Sequence, residues 1–343
     1  MSLKPFPDFK SLATHHCVTG SMLHIYRYNE IPISEEMILG LGSGMGFIYW
    51  QQKGIDPFLG GRVNLVKPGE EGLEHTASRR LGIESATFNT TSARKAEKAL
   101  LELLEAKQPV MLRVDMGFLP YFEFGGEEYH FGYLTIVVAG YDPETRQVLL
   151  ADRDLGLHSI SWENLAKARG STFKPFPPKH SWYTFDFSLY HPPKPVDVIL
   201  SIQEAATGML EPPISNFGVK GIRKAAKRIL KWSDELDERA LRRTCFNIFV
   251  FIDAMGGTGG GIFRYMYGRY LKEAAEITGI DAFAAVGEQF KVIGDRWQDV
   301  ADIFKRAFDV DGPATMLPET TEPLMGIADM EQESWGRLRE IAG

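Results

Sequence analysis

The chain of 343 residues contains two cysteines, and these are the strongest candidates for a catalytic nucleophile. With only Cys17 and Cys245 present, a disulfide framework and a multi-cysteine zinc site are excluded. A thiol transfers acyl groups only as a thiolate, so it needs its pKa lowered by a helix N-terminus or an imidazole. Cys17 follows His15 and His16 and precedes apolar residues at helical spacing, which predicts a helix N-terminus there. The alternative is a buried packing cysteine, and for Cys245, among aromatic and aliphatic neighbours, that is the simpler interpretation.

A histidine and an acid follow Cys17 in the chain order that cysteine-dependent acyl transfer uses. His130 precedes one apolar strand pattern, and Asp152 ends the next one. In papain-like folds a histidine begins the first of two adjacent strands, and the second presents an Asp or Asn that fixes its tautomer. Cys17, His130 and Asp152 are therefore the candidate nucleophile, base and orienting acid.

Residues around these three are candidates for substrate binding. His16 could polarise the entrance to the thiol, and Ser11 stands six residues before Cys17, where papain-like enzymes often place a glutamine as an oxyanion donor. The glycine-rich loop contributes Gly42, Ser43 and Gly44, whose backbone N–H groups could line an acyl-binding cleft. A tight structural turn is the alternative for that loop.

The elements that must position these residues divide the chain in two. A helix begins at Cys17 with Thr14 as its candidate cap, and Ser34 caps a second short helix. An amphipathic helix then precedes four strand patterns, at 110–114, 133–141, 147–151 and 182–187. The Pro-rich segment 191–195 is interpreted as a linker, and helical patterns follow it. We predict an α+β papain-like domain at 1–192, with its N-terminal helix packed on an antiparallel sheet, and a mainly helical domain at 193–343.

Composition excludes several classes of function. Hydrophobic residues make up 44% and charged residues 24%, as in folded globular proteins. The net charge of -7 disfavours a nucleic-acid partner, and no stretch has the apolar length of a membrane span. No histidine spacing indicates a metal site, so we expect no metal and no cofactor. Because the sequence shows neither a membrane span nor an N-terminal apolar core of signal-peptide length, we expect a cytoplasmic protein.

Four segments resemble one known family. They are HHCVTGSMLHIYRYNE from His15, RRLGI from Arg79, PVMLRVDMGFLPY from Pro109, and the HFG, VVAGYD and ADRD block that begins at His130. They are similar to the butirosin biosynthesis protein H N-terminal family over most of the first ~190 residues. The helical remainder resembles the domain of unknown function that often follows it.

This resemblance implies a cysteine-peptidase-like fold and an acyltransferase. The namesake moves an aminoacyl unit from a carrier-protein thioester to an aminoglycoside amine, so an acyl carrier protein with its phosphopantetheine arm and a small amine acceptor are the expected partners. Self-association into a homo-oligomer is left open. Cys17 carries over as nucleophile and Asp152 as orienting acid.

The base does not carry over directly. The family's histidine stands six residues before the glycine of the Gly-Tyr-Asp turn, and this chain has Leu134 there. His130 lies four residues earlier, about 13 Å away along a regular strand. Either a bend brings His130 in, or His15, His16 or another histidine acts, or the chain has kept the fold without catalysis. An acyltransferase is the leading hypothesis, with a cysteine peptidase or amidase, or an inactive binding protein, as the alternatives.

Overall fold

The computed structural model describes residues 3–52, 54–62, 72–123, 129–174 and 176–343. The helices are α1 (Cys17–Tyr28), α2 (Glu35–Leu41), α3 (Leu73–Arg80), α4 (Ala93–Glu105), α5 (Trp162–Gly170), α6 (Pro195–Leu210), α7 (Gly218–Arg228), α8 (Trp232–Glu235), α9 (Glu238–Ile252), α10 (Arg264–Thr278), α11 (Ala282–Asp309) and α12 (Thr321–Ala342). The strands are β1 (Ile48–Gln52), β2 (Ile55–Gly60), β3 (Glu84–Phe88), β4 (Val110–Val114), β5 (Leu134–Asp142), β6 (Gln147–Ala151), β7 (Leu157–Ser161) and β8 (Trp182–Asp186). The predicted α+β class, with an N-terminal helix, an antiparallel sheet and a helical C-terminal region, is confirmed.

Helix α1 begins at Cys17, as predicted, but its cap is different. His16 is extended, with φ −120° and ψ 135°, and its side chain accepts the hydrogen bond from the Thr19 N–H. The prediction of Thr14 as the cap is wrong, because the side-chain oxygen of Thr14 accepts no hydrogen bond among the described residues. A ring nitrogen of histidine can accept as the usual serine or aspartate oxygen does.

The chain divides into two compact units whose segments alternate in sequence. The first contains Met1–Ile38 and Gly82–Tyr190, and the second contains Leu39–Leu81 and His191–Gly343. The sequence-based division at 192/193 lies near the last of these junctions. The sequence-based division did not assign residues 39–81 to the second unit. Pro195 also begins α6, where its missing N–H costs no helical hydrogen bond.

A six-stranded sheet organises the first unit. Its order is β3-β8-β4-β5-β6-β7, and every neighbouring pair is antiparallel. The four predicted strands form β4, β5, β6 and β8. Strands β3 and β7 were not predicted, because they are short and half-exposed and carry no clear apolar alternation.

The core of the first unit lies between this sheet and α4 and α5. Every second residue of β4 and β5 is buried on one face, where Leu100 and Leu104 of α4 and Leu165 of α5 pack on them. The intervening residues, such as Met111 and Val137, are also fully buried, so both faces are covered. Helix α1 packs against β4 and β5.

The second unit is mainly helical, as predicted, and also contains the β1–β2 hairpin. Its helices α10 and α11 lie so close that a Cβ added at Gly268 would come within 2.8 Å of the Gly287 carbonyl oxygen. A Cβ at Gly287 would meet the Gly268 carbonyl at 2.7 Å. Side chains at these two positions would therefore force the helices apart. None of the helices that the structure describes is long and apolar enough to cross a membrane.

A buried ion pair lies at the centre of the helical unit. Arg264 Nε donates to Glu331 Oε1 over 2.7 Å, and both side chains are fully buried. The indole N–H groups of Trp297 and Trp335 donate to the same carboxylate, over 3.2 and 2.7 Å. Removing the Glu331 charge would leave the guanidinium uncompensated in a low-dielectric core.

We therefore expect Glu331→Gln to lower the free energy of unfolding by about 3–5 kcal/mol. Glu319→Gln is the matched control, because its pair with Arg306 is exposed and contributes little. Urea denaturation of both variants measures the difference. Equal losses would show that Arg264 does not depend on this partner.

Candidate active site

Cys17 is the first residue of α1 and is half-buried. Its side chain packs against the sheet core described above. The thiol is thus held by packing while part of it stays accessible. Cys245 differs, because it is fully buried and burial raises its pKa to about 12, so it is a core residue as predicted.

The segment before Cys17 is held by one buried carboxylate. Glu35 accepts the backbone N–H groups of His15 and His16, each over 2.8 Å, and the Thr19 hydroxyl over 2.8 Å. Burial raises the pKa of Glu35, and these hydrogen bonds lower it in part. A carboxylate is also favourable beside the positive end of a helix. Glu35 therefore fixes the backbone that presents Cys17.

His16 lies at this helix start, as its position in the sequence requires. It is buried, and Nδ1 is 3.3 Å from the Thr19 N–H and 3.1 Å from the Thr19 hydroxyl. Capping thus occupies Nδ1. The sequence-predicted role of His16 at the entrance to the thiol stays a prediction.

Topology gathers the other candidates at one end of the sheet. The last residue of β4, Val114, pairs with the first of β5, Leu134, and the C-terminal end of β6 lies beside the same part of β5. The Thr14 N–H donates to the Arg153 carbonyl over 2.8 Å, which brings the segment before Cys17 to this end. Residues that follow β4, precede β5 or follow β6 therefore share the neighbourhood of α1's N-terminus.

Asp152 directly follows β6 and is buried. Its Oδ2 accepts the Tyr121 hydroxyl over 3.2 Å, and the Arg153 Nε is 3.7 Å from Oδ1. Burial raises the pKa of Asp152. Among the described residues, no group donates a hydrogen bond to Oδ1. The carboxylate predicted to orient the base is bonded to a tyrosine.

His130 is paired with a different acid, Asp115, which directly follows β4. The distance from His130 Nδ1 to Asp115 Oδ2 is 2.9 Å, and Asp115 is fully buried. The imidazole stacks on Phe173, with ring centroids 3.4 Å apart and an interplanar angle of 6°. Sequence reasoning missed Asp115, although a polar residue immediately after the buried strand pattern PVMLRV was the available signal.

Leu134 occupies the position where the family pattern places its base. It is buried and belongs to the same core cluster against which Cys17 packs. Its side chain is aliphatic and cannot exchange protons. Leu134 therefore cannot act as the base, and acyl transfer would need another side chain for this role.

Two family models match the chain. The one described as butirosin biosynthesis protein H, N-terminal, matches residues 16–153, and the one described as domain of unknown function DUF4872 matches residues 163–338, just over half of the chain. The chain belongs to the DUF4872 family. It joins that domain to a butirosin biosynthesis protein H N-terminal domain, as the sequence resemblance predicted, and the latter points to a biosynthetic, acyltransferase-like role. No curated protein matches the chain.

The Ser11 side chain donates a hydrogen bond to the backbone of the turn that follows β6. Its hydroxyl lies 3.1 Å from the Asp154 carbonyl and 3.2 Å from the Gly156 carbonyl. A hydroxyl has one proton, which these carbonyls share. The contact holds the segment before Cys17 against the residues after β6, and the oxyanion role of Ser11 stays a prediction.

The loop residues Gly42, Ser43 and Gly44 belong to the second unit. The Ser43 hydroxyl donates to Glu204 over 2.5 Å and accepts from Arg80 over 2.8 Å. A Cβ on Gly44 would come within 2.2 Å of a Leu73 methyl carbon. These contacts describe a tightly packed turn, and the proposed contact with an acyl group stays a prediction. In the described part of the chain, no group of three or more His, Cys, Asp or Glu side chains is placed to hold a metal ion.

The buried charge of Asp152 gives a prediction for stability. Because burial raises its pKa, the protonated carboxyl favours folding; this contribution is complete below the ordinary value of 3.8 and is lost as the pH rises through the folded-state pKa. Asp152→Asn keeps an oxygen for Tyr121 and carries no charge. We expect it to be more stable than wild type at pH 7, because it carries no buried charge there.

Chemical denaturation at pH 7 and near pH 4 measures this difference, and the gap should close at the lower pH. Asp154→Asn is the control, since that carboxylate is largely exposed. If the difference in stability between Asp152→Asn and wild type is the same at both pH values, the buried charge of Asp152 does not destabilise the fold.

A second prediction concerns Glu35. Glu35→Ala removes the acceptor of two backbone N–H groups, and a buried unsatisfied donor costs about 1–3 kcal/mol. We expect a lower free energy of unfolding and faster amide hydrogen exchange at His15 and His16. The exposed Glu30→Ala is the control. Unchanged exchange at both amides would show that Glu35 does not hold this segment.

Proposed function

We propose that this protein is a cysteine-dependent acyltransferase that carries an acyl or aminoacyl group from a thioester to an amine through Cys17. The observation that carries the proposal is the position of Cys17, an accessible thiol at the first residue of α1 inside the region that matches the butirosin biosynthesis protein H model. The N-terminal end of a helix favours the thiolate over the thiol. Buried Cys245 has no such environment.

The proposed reaction has two steps. A base, for which His130 is our candidate, takes the thiol proton, the Cys17 sulfur bonds to the donor's carbonyl carbon, and the donor's carbon–sulfur bond breaks. The departing thiolate receives the proton and leaves as a thiol. An amine then attacks the acyl-enzyme, the new carbon–nitrogen bond forms, and Cys17 is released as its thiol after proton transfer from the amine.

The donor and acceptor follow from the family's chemistry. A carrier-protein thioester on a phosphopantetheine arm would present the acyl group at the end of a thin, flexible chain, and a small amine would accept it. Hydrolysis differs only in that water replaces the amine. A peptidase or amidase therefore remains the alternative within the same chemistry.

A binding protein without turnover is the second candidate. It is favoured by Leu134, a buried aliphatic residue at the family's base position, and by the pairing of Asp152 with Tyr121. Under this function the cysteine helix and sheet would be kept for recognition alone. Cys17 would then be an ordinary packing thiol.

Covalent labelling separates these functions. We expect wild type incubated with an N-acetylcysteamine acyl thioester to gain the mass of one acyl group, measured by intact-protein mass spectrometry. Cys17→Ala should gain none, and Cys245→Ala should label at the wild-type rate because that thiol is buried. Labelling of wild type and Cys17→Ala to the same extent, or of neither, would contradict acyl transfer through Cys17.

The fate of the acyl group distinguishes transfer from hydrolysis. Acyl-enzyme freed of excess thioester is followed with and without an added primary amine. A transferase loses the label faster with the amine and forms the amide. A hydrolase loses it at the same rate in both and releases the acid.

A further inference from the structure

Asp115 is part of a site built around one face of His130. Its Oδ1 accepts the backbone N–H groups of Gly117 over 3.0 Å and Phe131 over 3.1 Å. Its Oδ2 accepts the Ser171 hydroxyl over 2.5 Å and lies 2.9 Å from His130 Nδ1. The two N–H groups and the hydroxyl all donate to this carboxylate.

The Ser171 hydroxyl links this carboxylate to the aromatic ring beside His130. Ser171 Oγ accepts the Phe173 N–H over 3.3 Å, so its own proton is directed to Asp115. The ring of Phe173 in turn stacks on the imidazole of His130. The carboxylate of Asp115, the hydroxyl of Ser171 and the ring of Phe173 therefore jointly fix the position of the imidazole.

Gly117 shows how closely the imidazole is enclosed. A Cβ at this position would lie 2.6 Å from His130 Nδ1 and 2.3 Å from the Tyr129 carbonyl oxygen. No side chain fits there without moving the ring. The turn after β4 is thus shaped around the imidazole as well as bonded to it.

Other described histidines are used differently. His24 has both ring nitrogens engaged by backbone, with Gly20 O at 2.8 Å and the Leu12 N–H at 3.0 Å. His158 pairs with Asp154, whose side chain is 60% exposed and therefore well solvated. Among these pairs, a fully buried carboxylate faces the imidazole only at His130.

We propose that Asp115, and not Asp152, is the positioning carboxylate of the base in acyl transfer. This rests on the proposed function. Asp115 holds the proton on Nδ1 of His130, so that neutral imidazole has its basic lone pair on Nε2. His130 Nε2 takes the proton of Cys17 as its sulfur attacks the thioester carbonyl, and gives the proton to the departing thiolate, which leaves as a thiol. The carboxylate stabilises the imidazolium between these two events.

The sheet topology is consistent with this role. Asp115 follows β4 and His130 precedes β5, and the hydrogen bond from the Thr14 N–H to the Arg153 carbonyl brings the segment before Cys17 to the same end of the sheet. The departure from the family pattern then has a physical meaning. In this assignment the base lies four residues upstream of Leu134, and its acid follows the strand before β5 instead of the strand after it.

Three Asp→Asn variants test the proposal in the full-length chain: Asp115→Asn, Asp152→Asn and, as exposed control, Asp154→Asn. Acylation by an N-acetylcysteamine thioester is timed by mass spectrometry. We expect Asp115→Asn to slow it by about 100-fold or more, because an amide facing Nδ1 favours the wrong tautomer. The other two should stay within a few-fold of wild type. A loss in Asp152→Asn equal to or larger than that in Asp115→Asn overturns the proposal.

A second readout reports the tautomer directly. Ring ¹⁵N chemical shifts of His130 should show the Nδ1–H form in wild type and in Asp152→Asn, and a shift toward Nε2–H in Asp115→Asn. An Nε2–H form in wild type overturns the proposal. This measurement on wild type decides the assignment even where Asp115→Asn fails to fold.

Chemical rescue tests whether His130 handles the proton. His130→Ala should be acylated about 100-fold more slowly and recover with added imidazole, which restores a base and not a fold. Wild-type rates in His130→Ala overturn the proposal. If wild type is never acylated, the proposed function fails, whereas the tautomer measurement still decides whether Asp115 orients His130.

Discussion

The hydrogen bonds of the Glu35 carboxylate are the interaction on which the candidate active site depends. A short segment must bring Cys17 from the sheet end into the first turn of a helix, and its backbone N–H groups lie out of water as it does so. Only an acceptor from elsewhere can satisfy them there. The two carboxylate oxygens of Glu35 accept these two N–H groups, and one of them also accepts the hydroxyl of Thr19 in the first turn of α1. The same side chain therefore holds both the segment before Cys17 and the start of the helix.

Three buried carboxylates in this unit show how differently an acid can be compensated. Glu35 has two backbone donors and a hydroxyl, and Asp115 has two backbone donors, a hydroxyl and an imidazole. Asp152 has the Tyr121 hydroxyl and a distant guanidinium, and one of its oxygens accepts no hydrogen bond from the described residues. A buried charge with so few donors lowers stability.

Much of this arrangement could be predicted from residue types. The start of α1 at Cys17 and four of the six strands of the sheet follow from apolar spacing, and the family follows from local motifs. The capping role of His16 and the pairing of His130 with Asp115 could not, because each depends on which side chains meet after the strands have paired. The return of residues 39–81 to the second unit is also a tertiary property, since no local signal records which core a hairpin joins.

Two departures from the simple family pattern become consistent once they are considered together with two neighbouring residues. Leu134 gives the core an aliphatic residue where a base would stand, and His130 lies four residues upstream, beyond the start of β5. Gly117 leaves the space that an imidazole needs at that point, and Asp115 supplies a fully buried acceptor for it. A chain that had only lost its base would not need an enclosed histidine just before the same strand. This enclosure supports our proposal of a proton acceptor at His130.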